Sequence, residues 1–151
     1  MKPLETNVEE VLRKAIQSEI ETRVYYQKMA ERAGSPAVRT RMLQLADGEL
    51  VHRAKMERKY REEIGKTPPP PEPATIELPP DLVNLDIAHA LKHALERERD
   101  SESYFRFMAE RAPDTILGAL FMELAEIEWK HKTDLQAEYN AVAPDSFLLD
   151  I

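Results

Sequence analysis

Apolar residues recur at steps of three and four along four stretches of the chain, the period of helices that bury one face. The first stripe reads Val8, Leu12, Ala15, Glu19, Thr22, Tyr26, Met29, Ala33, and the second Met42, Leu45, Glu49, His52, Met56. The third reads Ile87, Leu91, Ala94, Glu98, Ser101, Phe105, Met108, and the fourth Leu117, Phe121, Leu124, Glu128, His131, Leu135. The spacing predicts helices over about 8–33, 36–63, 86–112 and 113–139. Gly34 suits a left-handed cap on the first helix, and Ser35-Pro36 read as N-cap and first helical position of the second. Pro113-Asp114 opens the fourth.

The first two helices, and the last two, are joined by connections short enough to make helical hairpins. Between the pairs, 67–80 holds seven of the chain's eleven prolines. Proline at that density ends a helix and favours an extended path of about 3.1 Å per residue. The stretch 65–85 therefore reaches the length of a roughly 25-residue helix. Two hairpins and one long crossover give an all-α, antiparallel four-helix bundle of ferritin-like connectivity, in a single domain over 1–151. The hairpins also repeat each other. A displacement of 79 lays 11–60 on 90–139 without a gap, with 14 of 50 pairs identical, among them the run Met29-Ala30-Glu31-Arg32-Ala33 on Met108-Ala109-Glu110-Arg111-Ala112. A run of five exceeds what shared helical composition supplies, so an internal duplication is expected.

Each stripe is interrupted near its middle by Glu, and the second and fourth also by His. Under the displacement Glu19 falls on Glu98, Glu49 on Glu128 and His52 on His131. Residues i and i+3 share a helix face, so each Glu-x-x-His pair can serve one metal site. Two such helices and two single-Glu helices supply six ligands with four negative charges, which two divalent ions neutralise. Burial of the same groups without a partner costs several kcal/mol. Carboxylate and imidazole suit iron or manganese, with zinc a possible substitute.

Composition narrows the alternatives. Of the 151 residues, 42% are apolar and 32% charged, the balance of a soluble helical domain. A net charge of −7 disfavours a nucleic-acid partner. No apolar run approaches the roughly 20 residues of a membrane helix, and no signal peptide is visible, so a cytoplasmic location is expected. There is no Cys, which excludes disulfides, zinc–thiolate sites and iron–sulfur clusters.

The strings Ala15-Ile16-Gln17-Ser18-Glu19 with Tyr25-Tyr26, and Glu49-Leu50-Val51-His52, resemble the rubrerythrin and bacterioferritin branch of the ferritin-like superfamily. So do Ala94-Leu95-Glu96-Arg97-Glu98 with Tyr104-Phe105, and Glu128-Trp129-Lys130-His131. The resemblance covers about 100 residues. It implies two iron ions, with Glu49 and Glu128 bridging and Glu19, His52, Glu98 and His131 terminal. Three departures matter. Without Cys there is no rubredoxin domain, so a separate electron donor is implied. Leu50 stands where bacterioferritins have their haem-binding Met, so no haem is expected. Ser101 stands where rubrerythrins have a further Glu, and Glu102, one position on, is a candidate to reach in.

The resemblance implies a di-iron oxidoreductase that reacts with hydrogen peroxide or O2, as a peroxidase or ferroxidase, in a homodimer. The alternative is a non-catalytic iron-binding, storage or partner-binding protein. Tyr26 and Phe105, seven residues after the single Glu ligands, are expected to pack the core, with a hydrogen-bonding role open to Tyr26. Core packing is expected of Trp129 also. His89 and His93 are expected in solvent, and Asp47 and Glu126 to point away from the ligands.

Overall fold

In the computed structural model, residues 7–112 and 115–143 are described. Four helices follow in order: α1 (Val8–Glu31), α2 (Pro36–Ile64), α3 (Ile87–Arg111) and α4 (Thr115–Val142). No strand occurs among the described residues. Two compact units result, the first ending at Asp86 and the second beginning at Ile87. The first holds the hairpin of α1 and α2 with the proline-rich segment, and the second the hairpin of α3 and α4.

Local chemistry sets the helix ends. The Asn7 side chain accepts a hydrogen bond from the Glu10 amide at 2.9 Å, satisfying one of the free donors of the first turn of α1. Ser35 caps α2 as expected, accepting from the Val38 amide at 3.3 Å, with Pro36 in the first turn. Left-handed capping falls to Gly65, at φ 80, whose amide donates to the Arg61 carbonyl at the end of α2. The expectation for Gly34 is therefore corrected, since among the described residues Gly65 is the only glycine at positive φ. Helix α1 closes through tight turns instead, the Arg32 amide donating to Met29 and that of Ala33 to Ala30. Gly34 serves a close approach: a Cβ there would stand 2.9 Å from the Asn84 carbonyl oxygen. The proposed opening of α4 by Pro113-Asp114 lies outside the described residues.

The proline-rich segment runs the length of α1. Lys66 pairs with Glu9 near the start of α1 at 3.8 Å. In mid-helix the Gln17 amide group both donates to the Glu72 carbonyl, at 3.0 Å, and accepts from its amide, at 3.2 Å. At the far end the Gly34 amide donates to Leu85 and the Leu85 amide to Arg32, a short parallel bridge. The Arg32 guanidinium closes the segment by donating to the carbonyls of Pro79 and Leu82. Proline has no amide donor with which to form a ladder, so the segment is held largely by side-chain donors from α1.

Most positions of the apolar stripes are buried as read, while Val8, Ala33, Leu45, Ile87 and Met108 are half-buried. Leu12, Ala15, Tyr26, Met29, Met42 and Met56 lie inside the first unit, and Leu91, Ala94, Phe105, Leu117, Phe121, Leu124 and Leu135 inside the second. A second row, one helical step aside, is buried too: Ile16, Ala46 and Tyr60 in the first, and Leu95, Ala125 and Tyr139 in the second. These rows are related by the displacement of 79, so the duplication extends to packing. Tyr25 and Tyr26 meet edge to face at 5.5 Å, and Tyr104 and Phe105 repeat that contact at 5.4 Å.

Candidate metal centre

Each hairpin assembles one triad. In the first, Glu19 comes from the middle of α1, and Glu49 and His52, one turn apart, from α2. His52 Nδ1 stands 3.3 Å from Glu49 Oε2 and 3.7 Å from Glu19 Oε2. The second hairpin repeats the arrangement with Glu98 of α3 and Glu128 and His131 of α4, where both Nδ1–carboxylate separations are 3.7 Å. In each triad the three ligand atoms lie within 4.8 Å of one another. All six residues singled out from sequence thus group as two sets of three.

Burial gives these groups their chemical character. The four carboxylates are only 4–5% exposed, while the imidazole side chains retain 18% and 19%. Burial pushes the Glu19 carboxyl up to about 8, because desolvation and the neighbouring Glu49 outweigh the attraction of His52. For His131 burial acts in the opposite sense, yet the nearby Glu128 and Glu98 carboxylates prevail and hold the imidazole up to about 10. At neutral pH each triad therefore retains a proton that ordinary side chains would have shed: on the Glu19 carboxyl in one, on the His131 imidazole in the other.

A divalent cation is the group these donors fit. Two buried carboxylates and an imidazole converge from two helices, and a bound ion would take over the neutralising role of the retained proton. Oxygen and nitrogen donors without sulfur suit iron, manganese or zinc.

The residues around the triads depart from the sequence reading in two places. Glu102 is buried, at 7% exposure, and its carboxylate accepts from Arg106 at 2.6 Å and pairs with Lys132. It is thereby claimed by two cations. Although desolvation would raise it, Lys132 and Arg106 together hold it below the ordinary carboxylate range. Its four-residue step from Glu98 along the buried row is the signal that marked it. Trp129 is corrected: its side chain is 43% exposed, because the Glu128–His131 face turns inward and the neighbouring position turns out. Tyr26 is fully buried and Phe105 nearly so, as core residues. His89 is exposed, and His93 is half-buried 3.9 Å from Glu96. Asp47 and Glu126 are exposed.

Fold and site together define a class: helical-hairpin proteins that present paired Glu and Glu-x-x-His donors to metal. The family model for rubrerythrin matches residues 10–139, both hairpins and the segment between them. The chain belongs to the rubrerythrin family. It is similar in structure to a hypothetical protein from Pyrococcus furiosus, with 27% identity, 90% of each chain covered and a TM-score of 0.57. No curated protein matches. No helix among the described residues is long and apolar enough to cross a membrane.

Proposed function

We propose that the protein is a di-iron oxidoreductase that reduces hydrogen peroxide or oxidises Fe(II) with O2. The observation that carries the reading is the duplicated triad: two Glu, Glu, His sets, each with its carboxylates buried and its ligand atoms within 4.8 Å. When bound, iron would supply two one-electron redox centres and Lewis acidity.

The chain's own residues account for the rest. Glu19, Glu49 and His52 would hold one ion, and Glu98, Glu128 and His131 the other. Sharing of Glu49 and Glu128 between the ions is the expectation the family resemblance carries. Tyr26 and Phe105, buried beyond the single Glu ligands, keep bulk water from that end of each hairpin. Each imidazole keeps about a fifth of its surface in contact with solvent, which leaves a route for a small oxidant. Electrons come from a separate donor, since the chain has no Cys with which to build an iron–sulfur relay. A homodimer and a cytoplasmic location complete the reading.

Stopped-flow absorbance of the iron-loaded protein tests it. Oxidation by a stoichiometric pulse of peroxide or O2 within seconds, with repeated turnover once a reductant is supplied, is the expected outcome. Iron binding without any response to either oxidant would replace catalysis with storage.

A further inference from the structure

We propose that the two triads fill in a fixed order, with Glu98, Glu128 and His131 taking the first divalent cation and Glu19, Glu49 and His52 the second. The inference rests on the metal reading above and adds to it a difference between the hairpins. A displacement of 79 lays Arg23 on Glu102, Gln27 on Arg106, Asp47 on Glu126 and Arg53 on Lys132. In the second hairpin these four side chains form one chain of ion pairs: Lys132 to Glu102, Glu102 to Arg106 at 2.6 Å, and Arg106 to Glu126 at 3.5 Å. The chain crosses from α4 to α3 and back again. Glu126 is exposed, so its pair adds little. The buried Glu102 carries the link, one turn along α3 from Glu98, and its partner Lys132 adjoins His131. The rotation and register of α3 against α4 are thereby fixed beside the 3.7 Å contact of Glu98 with His131.

The equivalent residues of the first hairpin form no such link. Among the described residues, Arg53 pairs only with Glu57 of its own helix, at 3.6 Å, and Arg23 forms no ion pair. The ligands of the first triad are therefore placed by apolar packing and by their own contacts, and a cation has more residual freedom to remove when it binds them. Groups that orient metal ligands raise affinity by about ten- to a hundredfold, which favours the second triad. Charge acts in the same sense. The charges of the ion-pair chain cancel in the second hairpin, whereas Arg23, one turn along α1 from Glu19, is a cation with no acid to balance it against an incoming metal ion.

Titration of the metal-free full chain with Zn(II), followed by proton–nitrogen NMR of the imidazole rings, tests the order. His52→Gln and His131→Gln assign the two sets of signals. Repulsion between bound ions separates the steps in any case, so the deciding readout is which imidazole responds first. The first equivalent should shift the His131 signals alone, and the second those of His52. Glu102→Gln should weaken the His131 step by at least about tenfold and leave the His52 step unchanged, bringing the two responses together. A general loss of stability would weaken both steps. Lys132→Arg, which keeps the ion pair, should keep the order. The wild-type order decides even where a variant fails to fold. His52 responding first, or both imidazoles responding in parallel, would overturn the proposal and leave the metal reading in place. Zn(II) that moves neither imidazole would overturn both.

Discussion

Glu19 and His52 meet at 3.7 Å across the first hairpin, the separation at which Glu98 and His131 meet across the second. Equality of the two distances means that the register of α1 against α2 is also that of α3 against α4. Duplication has thus preserved the chemistry of the interior while the surroundings diverged, most plainly at Arg23 and Glu102.

Proton retention by the triads makes the metal-free protein sensitive to pH. Glu19 titrates near 8 and His131 near 10, each above its unfolded value, so both hold protons more tightly in the folded chain. The Glu19 contribution to stability is full below about 4.5 and is lost as pH rises through 8. That of His131 is full below about 6.5 and is lost as pH rises through 10. Urea midpoints of chelator-treated protein are therefore expected to fall between pH 5 and 9. A midpoint that rises over this window contradicts the assignment.

The same protons must leave when a cation binds. Titration of the metal-free protein with Zn(II) at pH 7, in two buffers of different ionisation enthalpy, should show release of about one to two protons per chain. Apparent affinity should increase with pH up to about 8. Binding without proton release would mean that the ion sits away from the triads.

Glu102 provides a term of opposite sign. Its folded value lies below the ordinary one, so the stability it contributes is present above about 4.5 and is lost as pH falls through the folded value. Glu102→Gln leaves Lys132 and Arg106 without their shared anion and is expected to destabilise the chain by about 1–3 kcal/mol at pH 7. The difference from wild type should shrink in acid. A difference independent of pH would assign the residue a packing role only.

Gly34→Ala tests the anchoring of the proline-rich segment. The added methyl meets the backbone of Asn84 at 2.9 Å, where no flexible side chain can yield. Loss of about 1–3 kcal/mol is expected, together with faster proteolysis within 67–85. Unchanged stability would mean that the Leu85 bridge is dispensable.

Much of this architecture was legible in the stripes. Glu19, Glu49, Glu98 and Glu128 were identified because a charged residue in a buried row is conspicuous, and the two Glu-x-x-His steps placed each imidazole on the right face. Gly34 was misread because a glycine after a helix suggests a cap, whereas its real constraint comes from Asn84, some fifty residues away. Trp129 was misread because size was given more weight than phase: it adjoins Glu128, and neighbours on a helix point in different directions. Glu102 was underrated for the opposite reason. Its importance depends on Lys132 across the hairpin and Arg106 along α3, and hydrophobic periodicity carries no information on which charges will pair.

Metal stoichiometry tests the central claim most directly. Anaerobic titration of the metal-free protein with Fe(II), followed by elemental analysis, should give about two ions per chain for the wild type and about one for Glu49→Ala or Glu128→Ala. A wild type that retains no iron, or variants that each keep two ions, would contradict it.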